Sequence, residues 1–126
     1  MQAKDGLGRY GERVALRHLI EAGHEILDRN WRCADGEIDI VSRCEGVITF
    51  VEVKTRRSGR FGEPAEAVGL RKQTKIRELA AIWLREHTPQ PEAGPGAGPR
   101  ELSFDVIEVR HAERGAASVT HLRQAF

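Results

Sequence analysis

GEIDIVSRCEGVITFVEVKTRR, residues 36–57, reads as two β-strands folded back on each other around Cys44-Glu45-Gly46. The second strand, residues 47–55, carries the β-rich run VITFVEV, and residues 37–43 precede it as its partner. Side chains alternate faces along a strand, so Glu52 and Lys54 project together, with Phe50 and Ile48 beneath them. A two-residue turn at Glu45-Gly46 pairs Cys44 with Val47 and, counted back in step, Asp39 with Glu52. A four-residue loop from Cys44 to Val47 gives the same register. Paired Cβ atoms lie roughly 4.5–5.5 Å apart, and two carboxylates that close destabilise a sheet unless a cation lies between them.

That cation can be Lys54 or a divalent metal. Carboxylate oxygens at this spacing suit Mg²⁺ or Mn²⁺, hard ions that keep several waters and also take phosphate oxygens. Such an ion lowers the pKa of a bound water and stabilises charge on a phosphodiester under attack. Neighbouring carboxylates favour a charged lysine, so Lys54 is expected to act electrostatically rather than as a base. Glu37 falls at the outer end of its strand and is expected to be solvated.

The flanking sequence surrounds this hairpin with helices and further strands. Residues 9–22, RYGERVALRHLIEA, fit an amphipathic helix with Ala15, Leu16, Leu19 and Ile20 as its apolar stripe and Gly23 as its C-cap. Glu12 sits at the leading edge of that stripe, placed either to reach the sheet or to serve as an ordinary first-turn acid. Gly6, Gly8 and Gly11 spell G-x-G-x-x-G, but a dinucleotide site needs a preceding strand, and only five residues precede Gly6. A nucleotide cofactor is therefore not expected, and the glycines read as a loose lead-in to the helix.

Residues 25–32 form a plausible first strand and 33–36 a turn. Residues 58–65 read as a mobile loop. A second helix is expected from about Glu66 to His87, burying Val68, Ile76, Leu79, Ala80, Trp83 and Leu84. The segment 88–99 holds four prolines and three glycines in twelve residues and reads as a flexible loop. Strands follow at 102–109 and near 118–124. Asp105 and Glu108 read as edge charges or arginine partners, and His18, His24, His87, His111 and His121 show no ligand spacing. The predicted order is α-β-β-β-α-β-β, an α/β layer fold whose mixed sheet begins with an antiparallel three-stranded meander.

At 126 residues, 40% hydrophobic and 31% charged, the chain fits one globular domain, 1–126, with the Pro/Gly-rich loop at 88–100. Neither a signal peptide nor a membrane span is apparent, so a cytoplasmic protein is the expectation. Cys33 and Cys44 lack a CxxC spacing and read as reduced, incidental thiols. The net charge is only +1, yet Lys54 to Arg77 holds eight cations against Glu63 and Glu66. A local excess of that size suits an anionic polymer.

Asp39, followed by Glu52-Val53-Lys54, resembles the D…(D/E)xK signature of the PD-(D/E)xK nucleases, which have the restriction-endonuclease-like fold. More closely, GxxGExxA (Gly8 to Ala15), NWR (30–32), GEIDIV (36–41), FVEVKTR (50–56), FG (61–62) and FDVIEV (104–109) resemble the YraN-type bacterial proteins, which are similar to archaeal Holliday-junction resolvases. The resemblance implies metal ligation by Asp39, Glu52 and the Val53 carbonyl, and catalysis by Lys54 with Glu12 in support. Ile38 stands where a proline often precedes the aspartate. The function so implied is Mg²⁺- or Mn²⁺-dependent hydrolysis of phosphodiester bonds in branched or structured DNA, with Arg56, Arg57, Arg60, Lys72 and Lys75 on phosphates. A two-fold dimer would supply the two active sites a four-way junction needs. The alternative is a non-catalytic DNA-binding accessory module whose site is vestigial or partner-dependent.

Overall fold

The hairpin turn and the register next to it form as the sequence predicts. In the computed structural model, which describes residues 6–57, 68–87, 101–112 and 114–126, β2 (Gly36–Cys44) and β3 (Val47–Arg57) pair antiparallel from Cys44↔Val47 to Ile40↔Val51. Glu45 and Gly46 both take positive φ, 50° and 80°, as a two-residue turn matching the strand twist requires. β1 (Glu25–Cys33) pairs antiparallel with β2. β4 (Glu101–His111) runs parallel to β3, and β5 (Ser118–Leu122) antiparallel to β4. The sheet order is β1-β2-β3-β4-β5, so β3 is central, with an antiparallel neighbour on one side and a parallel one on the other.

A helix covers each face. α1 (Gly6–Glu21) lays Ala15 and Leu19 on Ile40, Val51, Ile107 and Val109. α2 (Leu70–His87) lays Leu79, Ala80 and Trp83 on Ile38, Val41, Ile48 and Phe50. The element order α-β-β-β-α-β-β and the mixed sheet are those of the restriction-endonuclease-like fold. No helix among the described residues is long and apolar enough to cross a membrane.

Four expectations change. Gly6 and Gly8 lie inside α1 rather than in a lead-in, and Gly11 is buried where a Cβ would overlap the Thr55 side chain. Glycine at 11 therefore lets the helix backbone close on β3. Ile20 is exposed while Ala15 and Leu19 are fully buried, because the apolar stripe is narrower than its four residues suggest. α2 begins at Leu70 instead of Glu66: the Gly69 carbonyl accepts the first helical bond from Gln73 N–H at 2.9 Å, and Gln73 Nε2 donates to the Val68 carbonyl. Glu66, the 58–65 loop, Arg60 and the 88–100 loop lie outside the described residues. Finally, β4 is an interior strand and Asp105 is buried at 3% exposure, so it is no edge charge. Glu108 does pair with arginines, Arg56 at 3.2 Å and Arg110 at 2.8 Å.

Candidate active site

Along β2, Ile38 packs on the α2 face and Ile40 on the α1 face. Residues two apart in a regular strand share a face, so the alternation breaks between them, at Asp39. The β2–β3 pairing also ends here, at Ile40↔Val51. The expected direct pairing of Asp39 with Glu52 gives way to a different contact: Asp39 Oδ2 accepts the backbone N–H of Val53 at 2.9 Å. The carboxylate does for Val53 what a neighbouring strand would otherwise do. Across β1, Asn30 takes φ 51°, a left-handed conformation that asparagine tolerates better than most residues.

The gap left between the strands is a cavity of about 300 Å³, lined by Leu7, Gly8, Glu12, Glu37, Asp39, Glu52, Val53 and Thr55. Three elements thus bring carboxylates to one space. Glu12 arrives from α1, where the close approach at Gly11 sets its height above the sheet, and is buried at 6% exposure. With its amide nitrogen turned to the carboxylate, Asn30 donates to Glu12 at 2.6 Å to Oε1 and 3.2 Å to Oε2. Asn30 thus holds the Glu12 carboxylate in place, a contact that sequence spacing does not announce, although NWR (30–32) is one of the motifs of the family resemblance. Glu37 lines the cavity mouth and is bridged to Arg32 at 3.1 Å.

Glu52 lies on the α2 side. Burial first, and the Asp39 carboxylate second, push its carboxyl above the usual range. Lys72, from the first turn of α2, pulls it back, its Nζ standing 3.0 Å from Glu52 Oε1. Burial weakens the Lys72 ammonium, but the attraction of Glu52 outweighs that and holds its pKa above the ordinary lysine value. Lys54 is half-buried and near enough for its charge to favour the Glu52 carboxylate, though it is not part of the cavity lining.

Of the basic residues assigned to phosphates, Lys72 is therefore on Glu52 and Arg56 on Glu108, while Arg57 and Lys75 are exposed. A family model described as "Uncharacterised protein family UPF0102" matches residues 11–109. The chain belongs to this family. The UPF0102 protein of Frankia alni is 52% identical over 126 residues, covering all of this chain and 98% of that protein. That of Beutenbergia cavernae is 50% identical over 123 residues, covering 98% of each. At such identity the resemblance to the YraN-type proteins is borne out, and the match spans Glu12, Asp39, Glu52, Lys54 and Lys72 alike.

The donor set of this UPF0102 site is made of oxygens. Among the described residues, no three His, Cys, Asp or Glu side chains come close enough to enclose a metal by themselves. Mg²⁺ does not ask for that: it is commonly held by one or two carboxylates with waters and substrate phosphates completing the shell. Asp39 and Glu52 fit that requirement. A strand residue sends its N–H and C=O to the same side, so the Val53 carbonyl is directed toward the same gap as its amide.

A second polar cluster lies outside this site. His18 Nε2 and His121 Nδ1 are 3.0 Å apart, and His121 Nε2 reaches Asp105 Oδ2 at 2.7 Å. Ser103 Oγ and the Gln124 N–H also donate to Asp105, and His24 bonds Ser42. Burial opposes the charge on Asp105, yet these three donors hold its pKa below the ordinary aspartate value. The cluster ties α1, β4 and β5 together, and His24, just before β1, ties in β2 through Ser42. His18 and His121 are 103 residues apart in the chain, and no local spacing announces them.

Proposed function

We propose that this protein is a metal-dependent DNA endonuclease of the PD-(D/E)xK type, acting on branched or otherwise structured DNA. The observation that carries the reading is the convergence of Glu12, Asp39 and Glu52, from three separate elements, on one cavity beside Lys54. Buried carboxylates are costly unless a cation answers them, and a cavity with Glu12 and Asp39 buried and Glu52 partly so suits one.

Asp39 and Glu52, with the Val53 carbonyl, would hold Mg²⁺ or Mn²⁺. When bound, the ion supplies an activated water and charge stabilisation at the phosphate. Lys54 adds a fixed positive charge on the Glu52 face, where charge develops on the phosphate oxygens. Glu12, oriented by Asn30, accepts a proton or hydrogen bond from water on the α1 side of the cavity. Arg57 and Lys75 are exposed cations that take backbone phosphates, contacts that carry no sequence information. A preference for DNA structure over sequence follows, and a two-fold dimer would pair the cuts at a junction.

The test is incubation of four-way-junction and linear DNA with Mg²⁺, Mn²⁺ or EDTA. Cleavage that needs metal and disappears in Glu52→Gln and Lys54→Ala supports the assignment; cleavage surviving in both variants belongs to a contaminant. The Lys72–Glu52 pair favours a second reading, an accessory DNA-binding module whose carboxylates serve the fold. Salt-sensitive junction binding with no cleavage under any metal would select it.

A further inference from the structure

Lys72 occupies the position a metal would contest. Its Nζ is 3.0 Å from Glu52 Oε1, while its side chain is 58% exposed and that of Glu52 only 18%. The ammonium is thus the mobile member of the pair, carried on a long flexible stem from the wet side of α2. A hard dication draws on the same Glu52 carboxylate, and two positive charges on one carboxylate repel. Entry of the ion therefore weakens the lysine's hold on Glu52. The loosened ammonium remains within a side chain's length of the site, which is where a substrate phosphate would lie.

We propose that Lys72 is an exchangeable counter-ion, held on Glu52 when the site has no metal and released to the DNA phosphate when the ion binds. This rests on the nuclease reading of the Asp39–Glu52 site. It differs from both simpler roles for the same residue. A permanent phosphate ligand would not sit on Glu52, and a permanent structural ion pair would not answer to metal. Coupling the two makes the basic surface complete only in the metal-loaded protein, so that DNA is gripped most firmly when hydrolysis is possible.

The first arm of the test is calorimetric titration of Mn²⁺ into the wild-type protein and Lys72→Met, with Arg85→Gln, at the far end of α2, as the control for lost charge. Removing the competing ammonium should tighten Mn²⁺ by about two- to fivefold in Lys72→Met, the size expected for a partly exposed ion pair, and leave Arg85→Gln unchanged. Equal or weaker binding by a folded Lys72→Met, checked by circular dichroism, overturns the proposal. The second arm is junction binding in Ca²⁺ and in EDTA. Lys72→Met should lose affinity relative to wild type in Ca²⁺ and show no loss in EDTA; equal losses in both overturn the exchange and restore a permanent phosphate contact. The arms also separate the two levels of argument. Failure of the wild-type protein to bind any DNA overturns the nuclease reading and the phosphate half of the exchange, with the Mn²⁺ arm still deciding whether Lys72 competes with metal. Absence of Mn²⁺ binding in both proteins overturns the metal site and the counter-ion together.

Discussion

The Asp39 carboxylate accepts the Val53 amide at 2.9 Å, across the point at which β2 and β3 cease to pair. One side chain therefore closes the sheet and opens the site. The backbone group it satisfies belongs to the residue between Glu52 and Lys54, so the position of Asp39 and the aim of the E-V-K segment are mechanically linked.

This link separates stability from chemistry at residue 39. Asp39→Asn keeps an acceptor oxygen for Val53, so its urea midpoint should stay close to wild type. Asp39→Ala leaves that amide unsatisfied and should cost about 1–3 kcal/mol. Both should lose Mn²⁺ binding in a calorimetric titration. Equal destabilisation by the two substitutions would show that charge, rather than the hydrogen bond, is what the fold needs there.

Gly11 is the contact that brings Glu12 down to the sheet. A methyl group there overlaps Thr55, so Gly11→Ala should destabilise the protein by about 1–3 kcal/mol despite alanine's better helix propensity. Thr55→Ala in the same chain should recover part of the loss. A chemical-denaturation cycle on the two sites measures it, and strictly additive effects would mean that the helix rides higher on β3 than described.

Acid should loosen the α1–β5 junction before it reaches the carboxylates. Burial first, then His121 and Arg123, hold the His18 pKa below its ordinary value, with Glu21 opposing; burial and then His121 lower that of His24. The folded state thus binds fewer protons than the unfolded chain below pH of about 6.5. Their contribution is fully present above that pH and is lost as pH falls toward the lowered folded values. Asp105, also lowered, keeps its contribution above the ordinary aspartate value and loses it only in stronger acid. Urea midpoints at pH 7.5, 6.5 and 5.5 should fall across the last interval, and fall less in His18→Gln, which cannot titrate there. An identical fall in both proteins would place the titrating group elsewhere.

How much of this was legible beforehand depended on whether the deciding contact was local. The hairpin register follows from alternation and a two-residue turn, both readable within residues 36–57, and Cys44↔Val47 falls where it should. Helical spacing leaves Glu12 either inward-reaching or an ordinary first-turn acid, and the family resemblance is what favours the site. Asp105 was misread because a strand's place in the sheet depends on pairing with residues far away, and β4 lies between β3 and β5. Lys72 was grouped with the phosphate-binding cations because charge runs are visible in sequence and ion pairs are not. The break at Asp39 has no sequence signal of its own, since Ile38 and Ile40 look like neighbours on one face until two different helices claim them.

Asn30 combines both kinds of information, and the two can be pulled apart. Its backbone sits at φ 51° and its amide donates to Glu12. Asn30→Gly accepts the left-handed backbone without strain but takes a donor from the buried Glu12 carboxylate, so it should cost about 1–3 kcal/mol. Asn30→Ala loses the amide and adds roughly 1 kcal/mol of left-handed strain. If Asn30 works through Glu12, then Asn30→Gly, Glu12→Gln and the double variant should all depress metal-dependent junction cleavage to a similar degree, since removing the second member of one unit adds little. Additive losses in the double variant would assign Asn30 a role of its own, independent of the glutamate it touches.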